Sequence, residues 1–541
     1  MTRDHLDDDA RYTAVTTRDR RFDGVFFVAV STTGIYCRPI CPARTPGRTR
    51  CSFYDSPAQA EAAGFRACFR CRPELAPGNA TVDAVDRLVA TATARIAEGA
   101  LNEASVDELA AELGVSARHL RRSVEGKLGV TPIALAQTRR LALAKQLLQD
   151  TALPLTDIAF AAGYGSVRRF NAVFAEVMGS APGELRRKHV DAIASGELLE
   201  LRLDYRPPYD FLAILGFLAA RAIPGVEQVQ DGRYRRVVHL DGAVGIIELH
   251  PARDRDALVL AVEPTLVRVL MPLVARVRRM FDLDARPDVI GNVLGTDPLL
   301  ARLVALRPGL RVPGAIDGFE AAIRALLGQQ VSVAAATTLA GRFAAAFGSP
   351  LGTPRDGLTT RFPTAAEVVA AGATKIRAIG LPASRADAIH GIAAAIATGT
   401  LRLDGCDLDR FVADATALPG IGPWTAHYLA LRALHLPDAF PAADLGIRKA
   451  LGGSPRDAEA RAEAWRPFRS YAVIHLWTSL GDPDVDDDDD RLPARAATPR
   501  RARRRAGRPV SARAGRTGRG TAGQDARARA RRRAARRVLR R

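Results

Sequence analysis

LPGIGPWTA at residues 418–426 and DAFPAADLGIRKAL at residues 438–451 are the stretches from which the rest of the chain is read. Gly420 and Gly422 stand between two helix-patterned segments, so the first stretch reads as helix, tight hairpin, helix. Glycines there let another backbone approach closely. The unpaired N–H groups at the start of the second helix suit a DNA phosphate, directly or through a cation. A plain connecting turn is the competing reading of so short a motif. Asp444 follows Gly422 by 22 residues, so a carboxylate lies downstream of a phosphate-binding hairpin. Asp438, in the same run, is its rival.

Outward from this point the chain divides by pattern. Residues 1–78 are rich in loops, with Gly, Pro and five of the six cysteines. Residues 81–188 carry helical periodicity broken at Gly114, Gly129, Gly163 and Gly179. Alternating or apolar runs LELRLDY, RYRRVVHL, AVGIIELH and ALVLAVE predict strands between residues 199 and 263, with a helix over YDFLAILGFLAARA after the first. From 264 to 480 the pattern is helical throughout. An acidic run and an Ala/Arg/Gly segment without core-forming content follow.

Cys37 and Cys41 form one close pair and Cys68 and Cys71 another, with 26 residues between them. Two such pairs suit one tetrahedral Zn²⁺; two disulfides are the alternative, disfavoured in a reducing cytosol. Cys51 falls outside both pairs and reads as a buried apolar side chain. The surrounding FFVAVSTTGIYCRPICPAR and FYDSPAQAEAAGFRACFRCRPE closely resemble the N-terminal domain of the Ada methylation-response family over nearly all of residues 10–76. The resemblance implies that Cys37, Cys41, Cys68 and Cys71 bind zinc and that Cys37 accepts a methyl group from a DNA methylphosphotriester. Arg44 and Arg66 are then expected at DNA phosphates, against the alternative of solvated surface arginines.

VDELAAELGVSARHLRRSVEGKLG predicts a helix, a turn at Gly114 and a second helix capped by Ser116. The pattern repeats in LTDIAFAAGYGSVRRFNAVFAEVMGSAP, with Ser166 opening the second helix. Paired units of this form resemble the AraC-type DNA-binding domain. Arg118, His119, Arg121 and Arg122, then Arg168 and Arg169, are expected to face DNA. A plain helical bundle with solvated arginines is the alternative.

LDYRPPYDFLAILGFLAARAIPGVE, GFEAAIRALLGQQVSVAAATTLAGRF and RPFRSYAVIHLW, with the hairpin and Asp444, closely resemble the AlkA-type 3-methyladenine DNA glycosylases of the helix-hairpin-helix superfamily, over roughly residues 200–481. The resemblance makes Asp444 the catalytic carboxylate and puts Phe217, Trp424, Tyr428 and Trp477 in an aromatic base pocket. An electron-rich wall favours an electron-poor, cationic base. Gln330 stands where the family inserts a Leu wedge. Strand-cutting members of the superfamily carry a Lys where this chain has Trp424, so the enzyme is expected to hydrolyse without a Schiff base. Cys406 alone remains in this half, so no iron–sulfur cluster is expected, and one Zn²⁺ is the implied cofactor.

The expected architecture is multidomain α+β. A zinc methyl-acceptor domain covers 1–80, an all-α helix-turn-helix domain 81–190, an α/β glycosylase lobe 199–310, an all-α helix-hairpin-helix lobe 311–482, and a disordered acidic then Arg-rich tail 483–541. The formal charge of +19 does not support the DNA reading, because residues 491–541 hold 20 Arg and a single acid, Asp525, and thus the whole excess. No apolar run is long enough to span a membrane, and the acidic start lacks a signal-peptide core. A cytoplasmic, nucleoid-associated monomer is expected, with alkylated double-stranded DNA and promoter DNA as partners. Two other readings stay open: a glycosylase with a DNA-binding tether, and a transcription regulator with a non-catalytic glycosylase-like half.

Overall fold

The computed structural model describes residues 6–77, 87–187, 198–404 and 407–480. Cys406, the acidic run and the Arg-rich tail lie outside them.

The cysteine-bearing segment is less loop-like than its composition suggests. After a helix at Asp8–Thr17, capped by the Asp7 carboxylate, come four short strands: β1 (Phe27–Val30), β2 (Ile35–Cys37), β3 (Cys51–Tyr54) and β4 (Arg66–Ala67). They form one sheet in the order β3-β1-β2-β4. Strands of two to four residues leave little alternation to detect, which is why the pattern reads as loop. The parallel pairing of Ile35 with Arg66 and Tyr36 with Ala67 carries Cys37 and Cys68 to the same end of the sheet.

The helical segment contains two helix-turn-helix units joined by the long helix Pro132–Asp150. Ser105 and Glu108 form a reciprocal capping box, and Ser116, Thr131 and Ser166 each accept an N–H of the first turn. Gly114 and Gly163 take the left-handed conformation at the two turns. Leu120 and Val124 of one second helix, and Phe170 and Phe174 of the other, are buried at helical spacing.

Next comes a five-stranded antiparallel sheet: β5 (Leu199–Asp204), β6 (Glu227–Gln230), β7 (Arg233–Leu240), β8 (Ala243–Pro251) and β9 (Ala257–Val262), ordered β5-β9-β8-β7-β6. All six residues of β9 are buried, so it reads as a continuous apolar run. The predicted helix before it is Phe211–Ala219. Two features depart from the expected pattern. β6 is the polar run EQVQ, recruited to the sheet edge by pairing with β7. Within the half expected to be helical, β10 (Ser349–Arg355) and β11 (Leu358–Arg361) form a hairpin. Its turn is Asp356-Gly357 with both φ angles positive, a hairpin signal present in the sequence. The remaining helices enclose a core that includes Phe343, Ile389, Leu429, Trp465 and Leu476.

Zinc domain, second helix-turn-helix unit and sheet share one apolar core. Phe27, Tyr36 and Ala67 pack in the same cluster as Leu147, Phe170 and Phe174, and with Leu201, Leu260 and Phe281. Buried charges cross the same boundaries. Arg38, 4% exposed, holds Asp23 of its own domain and Asp204 of β5. Lys145 is fully buried and donates to the Cys68 carbonyl at 2.7 Å and to Glu74 at 2.6 Å. Arg72 forms a two-pronged pair with Asp150. Removing one partner of a buried pair costs about 3–5 kcal/mol, because the other charge is stranded.

Candidate active site and metal centre

The hairpin joins helix Leu408–Thr416 to helix Pro423–Arg432. Gly420 has φ +83°, and a Cβ there would lie 2.5 Å from Cβ of Ala388, so glycine is required both by conformation and by space. Gly422 occupies the N-cap with Pro423 behind it, an exposed helix start.

That helix start presents Trp424, and one turn later Tyr428, whose ring stacks on Trp424 with centroids 5.4 Å apart. Trp477, from helix Arg469–Ser479, tilts against Tyr428 at 6.2 Å. Asp444 is brought to these rings as the N-cap of helix Leu445–Leu451. Its Oδ1 accepts from Gly446 N at 2.8 Å, Ile447 N at 3.1 Å and Trp477 Nε1 at 2.8 Å. Its Oδ2 accepts only from Trp424 Nε1, at 2.9 Å, among the described residues. The carboxylate is thus fixed in plane and half-exposed, with one oxygen saturated and the other keeping a lone pair. Asp438 is differently placed. Arg466 and Arg469 both hold it, with Arg469 Nε at 2.8 Å, so its charge is spent within the fold.

Gln330 sits at the tip between helices Gly318–Leu327 and Val333–Phe347, exposed and with φ +57°. A non-glycine residue in this region costs about 1–2 kcal/mol, so the neighbouring contacts must hold it there. Gln329 does so: its amide donates to Gly420 O at 3.2 Å and to Thr425 Oγ1 at 3.1 Å, while Arg385 donates to its carbonyl at 2.7 Å. The tip is therefore tied to the hairpin, beside the first turn of the Trp424 helix. Sequence reading missed Gln329 and Arg385, although the Gln pair in LGQQVS was visible.

Phe217 lies in helix Phe211–Ala219, half-buried. Two guanidinium groups lie against its ring, Arg221 at 3.7 Å and Arg432 at 4.5 Å from the centroid. Neither arginine stood out in the sequence, since only the fold brings residues 211 apart in number to one ring.

The four sulfurs of Cys37, Cys41, Cys68 and Cys71 lie within 4.8 Å of one another. Tetrahedral zinc with bonds of about 2.3 Å needs sulfurs roughly 3.8 Å apart, so an all-thiol set this compact fits the ion. Cys37 and Cys41 are half-buried; Cys68 and Cys71 are buried. Backbone N–H groups of Arg70 and Arg38 point at the sulfurs of Cys68 and Cys71, at 3.3 and 3.4 Å. Ala43 does the same for Cys41. Cys37 has no N–H bond to its sulfur among the described residues. Cys51 is buried, as expected, and donates to Gly47 O at 3.4 Å.

Arg44 is exposed near this centre, whereas Arg66 is half-buried against the Phe69 ring at 5.3 Å. Arg118, His119, Arg121 and Arg122 are exposed on the second helix of the first unit, and Arg168 and Arg169 on that of the second. Arg121 is paired with Asp107 at 3.1 Å, both well exposed, an interaction solvent keeps weak.

Four family models match in chain order: the metal-binding domain of Ada over residues 10–74, a helix-turn-helix domain over 109–188, the AlkA N-terminal domain over 200–317, and the HhH-GPD superfamily base excision DNA repair protein over 323–466. The chain is 38% identical over 281 residues to DNA-3-methyladenine glycosylase 2 of Escherichia coli, covering 52% of this chain and 97% of that one. Over 135 residues it is 42% identical to the E. coli bifunctional transcriptional activator/DNA repair enzyme Ada, 25% of this chain and 37% of that one. Among solved structures it is similar to a 3-methyladenine DNA-glycosylase from Archaeoglobus fulgidus, with TM-score 0.46 and 23% identity, over 51% of this chain and 97% of that one. A probable bifunctional transcriptional activator/DNA repair enzyme AlkA of Mycobacterium tuberculosis is 42% identical over 489 residues, 88% of this chain and 98% of that one. With zinc-binding, helix-turn-helix and glycosylase segments in one continuous match, the chain belongs to the family of bifunctional transcriptional activator/DNA repair enzymes of the AlkA type.

Proposed function

We propose that this protein repairs alkylated DNA as a monofunctional glycosylase, hydrolysing the N-glycosidic bond of alkylated purines such as 3-methyladenine. The observation that carries the reading is Asp444, clamped between two indole N–H groups at a helix start beside the hairpin and the Gln330 tip. Gly420 and Gly422 would hold a phosphate of the duplex, and Gln330 would fill the gap left by the extruded nucleotide. The base would enter between Trp424, Tyr428 and Trp477. As the bond breaks, its electron pair leaves with the base nitrogen and positive charge develops at C1′ of the sugar. Oδ2 of Asp444 faces that charge with its free lone pair. Water oxygen then bonds to C1′, and its proton passes to the carboxylate or to solvent. Trp424 offers no amine, so no Schiff base forms.

The N-terminal half joins two further activities to this one. Bound zinc would keep the four sulfurs as thiolates near neutral pH. Cys37 Sγ would take the methyl carbon of a phosphotriester, forming an S–C bond as the C–O bond breaks and the phosphodiester departs as an anion. Support comes from its partial exposure and from the N–H bonds that the described residues give to Cys41, Cys68 and Cys71 but not to Cys37, since such bonds draw charge from the sulfur. Arg44 and Arg66 would meet phosphates, and Arg118, Arg121, Arg122, Arg168 and Arg169 would meet promoter DNA. The protein would act at the nucleoid as a monomer with one zinc ion.

The deciding experiment measures release of 3-methyladenine from methylated duplex by the native protein and by Asp444→Asn. Release by the native protein, and its loss in the variant with duplex binding retained, is expected. Undiminished release by the variant overturns the assignment, and no release by the native protein favours the regulator with a non-catalytic half.

A further inference from the structure

We propose that Arg221 and Arg432 make the base end of the pocket electropositive, setting which damaged bases are bound and how fast each is released. The inference rests on the glycosylase reading and concerns the side of the aromatic wall at Tyr428, the ring that makes no bond to Asp444 among the described residues.

The charges there do not balance. Arg236 and Arg324 take up both nearby carboxylates: Arg236 holds Glu320, and Arg324 holds Glu227 at 2.6 Å and Glu320 at 3.0 Å. Arg221 and Arg432 form no ion pair among the described residues. Arg432 is 7% exposed; it donates to Gly314 O at 3.1 Å and its Nε is buried without a partner. Arg221 donates to the Phe217 carbonyl at 3.3 Å. Burial pulls Arg432 down to about 10 and lowers Arg221; a guanidinium remains a cation at neutral pH. Arg432 follows Tyr428, the middle ring of the aromatic wall, by one turn of the same helix, and the phenol lies close enough to both guanidinium groups to interact with their charge. Phe217, whose ring would otherwise welcome a cationic base, already has two guanidinium groups against it.

Glycosidic cleavage moves one electron pair from sugar to base. The base loses one unit of positive charge whatever it started with: a cationic alkylpurine leaves neutral, and a neutral purine leaves as an anion that solvent protonates. Two uncompensated cations at the base end favour that change in both cases, while Asp444 favours the complementary change at C1′. Binding is affected differently. The cations repel a bound cationic base and do not repel a neutral one. Arg221 and Arg432 are therefore positioning residues acting through Phe217 and Tyr428, and they trade affinity for rate only on cationic lesions.

The test uses the full-length protein and two duplexes, one carrying 7-methylguanine, which is cationic, and one carrying neutral hypoxanthine. Single-turnover rate constants and half-saturating concentrations are measured for native protein, Arg432→Met, Arg432→Lys and Arg221→Met. Loss of one charge is expected to slow release of both bases about tenfold, the effect of a unit charge roughly 10 Å away at an effective dielectric of about 20. It should also lower the half-saturating concentration for 7-methylguanine alone, and Arg432→Lys should behave like native protein. Equal shifts in half-saturation for both duplexes, or a lysine variant matching the methionine one, overturn the proposal by showing a role in packing rather than charge. Arg221→Met supplies the same comparison from the less buried partner. Native protein that releases neither base refutes the glycosylase reading itself, and this inference with it.

Discussion

Replacing Trp424 with Phe separates the two tasks that the indole performs. The phenyl ring can still stack on Tyr428, 5.4 Å away in the native protein, but the Nε1–H that reaches Oδ2 of Asp444 at 2.9 Å is gone. A hydrogen bond to a charged group is worth about 1.5–3 kcal/mol. Water can replace part of it at this half-exposed carboxylate, so the lower end applies, about tenfold in rate. Oδ1 still has three donors, so Asp444 should stay in place and the fold should survive. Trp477→Phe is the internal control. It removes one donor of three from Oδ1, leaving both backbone N–H groups, so its effect should stay within about threefold. Single-turnover excision of 3-methyladenine, with duplex affinity measured in parallel, distinguishes the outcomes. Trp424→Phe should be the slower enzyme at unchanged affinity. The reasoning is refuted if both variants keep the native rate, or if Trp477→Phe is the more impaired.

Cys37→Ser should take up no methyl label from alkylated DNA while base excision continues, as mass spectrometry of the N-terminal domain and a release assay would show. Native protein incubated with an abasic or alkylated duplex and borohydride should give no covalent adduct on a denaturing gel, because Trp424 stands where an amine would be needed. Arg38→Met should destabilise the protein by about 3–5 kcal/mol in denaturant titration, since Asp23 and Asp204 would be left buried and unpaired. A companion variant with Asp204→Asn as well should recover part of that loss.

How far the sequence could be read depended on whether a residue's task was local. Ser116 and Ser166 cap helices because a hydroxyl at that point meets an N–H three residues on, and both were legible. The same holds for the Gly420 turn and the two cysteine pairs, where spacing along the chain carries the geometry. The β10–β11 hairpin was signalled by Asp356-Gly357 but lost inside a long helical reading. The polar strand β6 had no signal of its own, because the β7 edge supplies its reason to be extended. In the site, Asp444 and the three rings around it followed from the family resemblance, and the structure shows their contacts directly. Gln329, Arg221 and Arg432 did not, since each acts on a residue far away in the chain.

Arginine is where composition misleads most. Burial and partners separate the described arginines into several kinds, of which three bear on the site and its packing. Arg118, Arg122, Arg168 and Arg169 are exposed on helix faces and available to a polyanion. Arg38, Arg72 and Arg236 are enclosed by carboxylates and hold domains or lobes together. Arg432, buried, and Arg221, half-buried, have no carboxylate partner among the described residues, and removing such a charge from water is costly. Arg38 shows how the kinds interlock. It follows Cys37 in the chain, its N–H meets the Cys71 sulfur, and its guanidinium pairs with Asp204 of the glycosylase sheet. The cysteine cluster and the glycosylase sheet thus share a side chain, so the N-terminal segment and the sheet are one packed unit rather than beads on a tether. A net charge summed over the chain cannot distinguish these roles, because Arg38, Arg236 and Arg432 count in the total while adding almost nothing to the surface.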